Sequence, residues 1–263
     1  MANTIQIKRS TTAGNVPSLA AGEIGANLPD NKLFVGQDDN TKLLIHSDNA
    51  DGTSTFKDAS PSGHTVTATN ALHKTAQKKF GASSIYFDGT GDYLDVAASS
   101  DFAFGTGDFT VEAFIKTSNA TADTYYRRIY MTDGPTGNSA SNPQLAIVPT
   151  TGLANAWSTS GSLDISSTTN VADGEWHHVA MVRSSGTVAL YVDGASEATQ
   201  SWTENVALNS GSPRPRLGSF NGSTGDFDGY IDEIRISKGI ARWTAAFTPP
   251  TRRYGVMSPE PTG

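Results

Sequence analysis

The adjacent pair His177-His178 stands out in a chain with only five histidines, and metal binding or acid–base chemistry is the first use such a pair suggests. On a strand, successive side chains leave opposite faces, so the two imidazoles do not converge on one ion, and no third His lies at a ligand spacing nearby. The pair is expected to be structural, and Trp176 and Tyr191 are read likewise as packing on the sheet. Glycosidic cleavage by paired carboxylates would need acids alternating along one strand, as in E-x-D-x-E. Here Tyr230-Ile231-Asp232-Glu233-Ile234 puts Tyr and Ile at the alternate positions. There is no Gly-x-Ser-x-Gly elbow, phosphate loop or His-Glu-x-x-His helix, and without cysteine the thiol routes are closed. A non-catalytic chain is expected.

Binding is the remaining use. Sugar rings stack on apolar faces while their hydroxyls take hydrogen bonds, so exposed aromatics interleaved with amides suit a glycan. Such stretches are Tyr125-Tyr126-Arg127-Arg128, Asn138 to Asn142, Asn155 with Trp157, Trp202-Thr203-Glu204-Asn205 and Phe220-Asn221-Gly222-Ser223. Within them Tyr126, Arg128, Asn155, Trp157, Trp202, Asn205 and Asn221 are the expected ligand contacts. Packing or a solvated loop is the alternative for each.

The elements that must hold these residues are strands. The 26 Gly, 12 Pro and frequent Ser, Thr, Asn and Asp punctuate short apolar runs too often for helices. Strands are expected at Phe109 to Lys116 and Thr187 to Val192, where Thr110 to Lys116 and Val188 to Val192 place apolar residues at alternate positions, as half-buried strands do. Further strands are expected at Lys42 to His46, Ser84 to Phe87, Tyr93 to Val96, Arg127 to Met131, Gln144 to Pro149, around Trp157, Trp176 to Arg183, Arg214 to Phe220 and Tyr230 to Ser237. Asp88-Gly89-Thr90-Gly91, Ser184-Ser185-Gly186 and Asp193-Gly194 are expected to be hairpin turns. Ile240 to Ala246 could form one helical turn. Pro249-Pro250 should close the domain, leaving residues 251–263 as a tail.

A net charge of −7 with dispersed acids argues against nucleic acid or anionic lipid as partners. No apolar run reaches the roughly 18 residues of a membrane span, and MANTIQIKRS lacks a signal-length apolar stretch. Membrane insertion and export by that route are not expected. Residues 1–40 carry strand candidates at Thr4 to Lys8 and Lys32 to Val35. A segment so short needs another chain or domain to bury its apolar face, so oligomerisation or docking is expected of it.

Three stretches together resemble the laminin-G-like, concanavalin A-like lectin family. They are Phe80-Gly81-Ala82-Ser83-Ser84-Ile85-Tyr86-Phe87-Asp88-Gly89 with Asp92-Tyr93-Leu94, then Gly174-Glu175-Trp176-His177-His178-Val179-Ala180 with Leu190-Tyr191-Val192-Asp193-Gly194, and Phe227 to Ile236. The resemblance implies an all-β jelly-roll sandwich of two antiparallel sheets over residues 41–250. It also implies a possible calcium site, with Asp48 and Asp232 as carboxylate ligands and Ser62 and His64 offering carbonyls. The alternative is that these carboxylates cap turns. Residues 3–39, with Gly22-Glu23-Ile24-Gly25 and Lys32-Leu33-Phe34-Val35-Gly36, resemble the short N-terminal repeat of phage tail-fibre and related virion appendage proteins. That implies a virion protein, made in the host cytoplasm, attached to other virion proteins through its N-terminal segment, trimeric, and binding host cell-surface polysaccharide. A structural virion part that makes only protein contacts is the alternative, and a bacterial surface adhesin is a third reading.

Overall fold

Strands of alternating polarity bury one face each, and in this chain two sheets turn those faces toward each other. The computed structural model describes residues 40–118, 125–132, 142–207 and 214–254, with the backbone of three short strands nearer the N-terminus. Those three are β1 (Lys8–Ser10), β2 (Ile24–Asn27) and β3 (Lys32–Val35). β1 pairs parallel with β2, and β2 pairs antiparallel with β3, inside a separate unit of residues 1–41. The strand expected at Thr4 to Lys8 is described only from Lys8; residues 4–7 lie outside the described residues.

The second unit, from Lys42 onward, takes in β4 (Thr41–Ile45) from its second residue, then β5 (Val66–Thr69), β6 (Leu72–Lys74), β7 (Ser84–Asp88), β8 (Tyr93–Val96), β9 (Phe109–Lys116), β10 (Arg127–Met131), β11 (Pro143–Ile147) and β12 (Leu153–Ser158). It continues with β13 (Asp164–Asn170), β14 (Trp176–Ser184), β15 (Thr187–Val192), β16 (Ala195–Ser201), β17 (Arg216–Leu217) and β18 (Asp228–Lys238). One sheet has seven strands in the order β13-β12-β11-β10-β17-β8-β5. The other has eight, in the order β16-β15-β14-β9-β18-β7-β6, with β4 alongside β18. The fold is the expected all-β antiparallel sandwich. Among the described residues the helical content is one short turn at Ser100–Phe102, and Ile240 to Ala246 is not helical.

The register sorts the side chains. In the seven-stranded sheet Ile165, Ala156, Leu145, Tyr130, Leu217, Leu94 and Ala68 stand side by side across every strand and face the core. Val111, Ala113 and Ile115 of β9, Val179 and Met181 of β14, and Ile231, Ile234 and Ile236 of β18 meet them from the other sheet.

Two of the expected hairpins form: Ser185 and Gly186, and Asp193 and Gly194, all have positive φ, as two-residue turns between twisted strands require. The third is corrected. Asp88 to Gly91 does not join paired strands, because β7 lies in the eight-stranded sheet and β8 in the other. Carboxylates hold this crossover: Asp92 accepts from the Asp88 N–H at 2.9 Å and Asp226 from the Gly91 N–H at 2.8 Å.

The expected end at Pro250 is also corrected. Residues 239–254 run as a strap over the outer face of the eight-stranded sheet. Trp243 and Phe247 stack at 3.9 Å over Ala180, Val182 and Tyr191, and the Phe247 N–H donates to the Gly194 carbonyl. Tyr254, beyond the two prolines, is only 6% exposed. Residues 255–263 of the expected tail lie outside the described residues.

Candidate functional site

The opposite side of the seven-stranded sheet carries the complementary row: Asp164, Trp157, Gln144, Met131, Arg216, Asp95 and Thr67, one from each strand. Strand alternation forces this outcome, since every residue between two core residues must face away from the core. One irregularity enriches it. The register slips between Arg128 and Tyr130, so Ile129 and Tyr130 both face the core and Arg128 joins Met131 outside. A bulge of this kind re-aims a side chain.

Arg128 becomes the centre of an aromatic enclosure. Its guanidinium carbon lies 5.6 Å from the Tyr126 and Trp157 ring centres and 5.4 Å from that of Phe220. Nε donates to Gln144 Oε1 at 2.5 Å and Nη1 to the Tyr126 carbonyl. Burial lowers its pKa to about 10, still fully charged near neutrality. Asn155 stands beside Trp157 on β12 and donates through Nδ2 to Asp164 Oδ1 at 2.9 Å and Ser166 Oγ at 3.1 Å. Its Oδ1 is buried with no protein partner among the described residues. Tyr125, next to Tyr126, is the single exposed large apolar side chain among the described residues, at 47%.

A tight turn closes this enclosure. Gly225 has φ +65°, its carbonyl accepts from the Arg128 N–H at 2.9 Å, and a Cβ there would sit 2.7 Å from the Tyr126 carbonyl oxygen. Gly225→Ala is therefore expected to destabilise by more than about 1 kcal/mol and to weaken ligand binding, as urea unfolding and a binding isotherm would show.

The structure brings together Tyr126, Arg128, Asn155 and Trp157, and it corrects the others. Trp202 is 2% exposed and packs in the core, with Nε1 bonded to Ser162 Oγ and Arg183 over its ring, so it offers no stacking surface. Asn205 is exposed but lies by the Gly105–Val206 bridge, beside the Trp202 end of the sandwich. Asn221 uses Oδ1 on the Ser223 and Thr224 N–H groups and shapes the turn that carries Phe220 to Arg128; its role there is positional. Of the stretch Asn138 to Asn142, residues 138–141 lie outside the described residues. Gln144 and Asp164 were not anticipated. Gln144 carried a signal, as a polar residue alternating with Leu145 within an apolar run.

The expected calcium ligands are engaged by other groups of the protein. Asp232 is fully buried; its Oδ2 accepts from the Lys79 and Phe80 N–H groups and its Oδ1 from that of Glu233. Burial raises its pKa to about 7. Asp48 braces the same loop through the Ala82 N–H and pairs with Arg253. The Ser62 and His64 side chains meet Asp101, at 2.8 and 3.1 Å, whereas the groups expected to face an ion were their carbonyls. The Asp48 and Asp232 carboxylates accept backbone N–H bonds, the turn-capping role that was the alternative to calcium. Among the described residues no group of three or more His, Cys, Asp or Glu is placed to hold a metal.

The two histidines separate as strand geometry requires. His177 lies between Asp193 and Asp173, at 2.6 and 3.1 Å, while His178 is buried against Glu112 and the Tyr254 hydroxyl. Glu112 is also bonded to Arg235 and Trp243, and Glu233 to His46 and the Tyr254 N–H. Both carboxylates are sealed under the strap.

A two-sheet antiparallel sandwich with aromatic, amide and guanidinium side chains gathered on one outward sheet face is a lectin-type domain. The sequence agrees: a family model of the concanavalin A-like lectin/glucanases superfamily, of laminin-G type, matches residues 87–242, and the chain belongs to that family. No curated protein matches the chain. Among solved structures it is similar to the binding domain of Paraclostridial Mosquitocidal Protein 1, with 14% identity, TM-score 0.54, and 80% of this chain and 50% of that one covered. It is similar also to the receptor binding domain of botulinum neurotoxin D, with 15% identity, TM-score 0.57, and 77% and 50% covered. The chain thus spans about half the length of these toxin domains. Domain 4 of AbnA, an extracellular GH43 arabinanase of Geobacillus stearothermophilus, solved in complex with arabinotriose, matches over 77% of this chain and 95% of its own, with 18% identity and TM-score 0.54. At these identities the likeness is one of fold.

Proposed function

We propose that this domain binds carbohydrate on the outward face of the seven-stranded sheet, around Trp157, Tyr126 and Arg128, and does so without catalysis. The observation that carries the reading is the gathering of two aromatic rings, a guanidinium and two amides on one face, next to the exposed ring of Tyr125. A similar fold solved with arabinotriose supports it. The absence of catalysis rests on spacing. The carboxylates in the outward row are Asp164 and Asp95, five strands apart, or about 24 Å at the usual strand spacing, against about 5–9.5 Å in glycosidases. Asp95 is also held in a bidentate pair by Arg216.

The setting we propose is a virion appendage, tail-fibre-like, in which the N-terminal unit joins other virion proteins and sandwiches assembled as a trimer engage host cell-surface polysaccharide. Its support is the resemblance of residues 3–39. Several weak sites on one particle raise the effective concentration, so modest affinity per chain suffices.

The test is binding of the full chain to isolated host polysaccharides and to arabinotriose by calorimetry. Trp157→Ala, which removes a stacking surface worth about 2 kcal/mol, is expected to weaken binding about 30-fold with little change in melting temperature. Unchanged binding by Trp157→Ala would move the site elsewhere, and no saccharide binding by the folded protein would leave the structural virion part. EDTA is expected to leave the isotherm unchanged, because Asp48 and Asp232 are engaged by N–H donors.

A further inference from the structure

We infer that the saccharide is anionic and that Arg128 holds its charge, an inference that rests on the sheet-face site proposed above. Three other arginines supply a comparison. Arg216 is paired with Asp95, and Arg235 with Glu112. Arg183, fully buried and without a carboxylate in contact, has all three nitrogens taken by the carbonyls of Gly107, Glu204 and Gly105. That is one way in which this fold satisfies a guanidinium used for packing.

Arg128 is treated differently. It is 5% exposed, has no carboxylate partner, and uses one N–H on Gln144 and one on the Tyr126 carbonyl. Nη2 has no protein partner among the described residues and is not one of the polar atoms sealed from solvent. A guanidinium walled by Tyr126, Trp157 and Phe220, with unspent donors, is a receptor for an oxyanion: two oxygens can be taken as a fork, in a setting where water competes poorly. The rings provide the stacking surface for the sugar that bears the charge.

The surrounding charges permit this. Asp164, at the sheet edge three strands away, makes no contact with Arg128; its carboxylate is bonded to Asn155 and its charge reaches Tyr126, so it marks the side of the enclosure that an anionic group must avoid. The net charge of −7 disfavours indiscriminate capture of polyanions, so a preference for one would report the site and not the general field.

A carboxylated sugar and a sulfated sugar share this chemistry, and the experiment separates them. Affinity of the full chain is measured for polygalacturonate against the same polymer with its carboxylates reduced, and for dextran sulfate against dextran. The expected result is a preference of about 10- to 100-fold for one anionic member over its neutral counterpart, the scale of a charge-assisted pair. Arg128→Gln is expected to reduce that preference to about 2-fold or less, and Arg128→Lys, which keeps charge but not the fork, to fall between. Should Arg128→Gln fail to fold, the wild-type comparison still decides. Equal binding of both members of each pair would overturn the inference and leave the carbohydrate reading intact. Binding of neither, here and with the host polysaccharides, would overturn both.

Discussion

Replacing Glu112 with alanine is expected to destabilise the sandwich by about 3–5 kcal/mol, a fall in melting temperature of roughly 6–20 °C for a domain of this size. The carboxylate lies fully buried on the outer face of β9, bonded to Arg235, His178, Trp243 and the Tyr254 hydroxyl. Removing it leaves the Arg235 charge and three donors without their acceptor beneath the strap, which costs more than the pair itself contributes. Burial alone would raise the Glu112 pKa, but the hydrogen bond from His178, the charge of Arg235 and the bond from Trp243 outweigh it and lower the value to about 2. A carboxyl whose folded pKa lies below its unfolded value contributes stability that is complete above the unfolded value, near 4.3, and is lost as pH falls toward 2. Urea unfolding at pH 7 and pH 2 should therefore show the cost of Glu112→Ala shrinking in acid. An equal cost at both pH values would show that lost volume, not lost charge, is responsible.

Truncation after Pro250 is expected to have an effect of the same order, about 3–5 kcal/mol, although the lost residues follow two consecutive prolines. Tyr254 explains the size. Its ring lies 3.7 Å from the Arg235 guanidinium, its hydroxyl meets Glu112 and His178, and its N–H donates to Glu233. Tyr254→Ala should reproduce most of the truncation's effect. Because Tyr254 and Glu112 touch, the double variant should lose less than the sum of the two single losses. Full additivity would mean that the strap acts through some other contact.

These contacts show how far local pattern reached. Core strands such as β9, β14, β15 and β18 were readable because both their alternation and their apolar content are strong. Five strands escaped: β5, β6, β13 and β16, which are the four edges of the two sandwich sheets, and β2, the short central strand of the N-terminal unit. An edge has a neighbour on one side only, and Asp164-Ile165-Ser166-Ser167-Thr168-Thr169-Asn170 buries too little apolar surface to show a period. Edges β13 and β16 are joined where Glu197 accepts from Thr168 and Thr169, a pairing between residues nearly thirty positions apart that no local window contains.

The candidate site divides in the same way. Trp157 and Asn155 share a face because they are two apart on one strand, and that much follows from sequence alone. Trp202 and Trp157 have similar polar neighbours in sequence, yet one is sealed in the core and the other lines the outward face. Burial depends on which strands come to lie alongside, not on adjacent residues.

By itself, the sequence determined the all-β class, the central strands and their inward faces and two of the turns, which depend on short-range sterics and the alternation of polarity, and its motif stretches carried the resemblance to the lectin family. Only the tertiary structure decided that Arg128 turns outward through a bulge, that Asp232 is held by backbone N–H groups, and that Tyr254 belongs to the domain. Each of these depends on a partner supplied from far along the chain, whose position is set by packing.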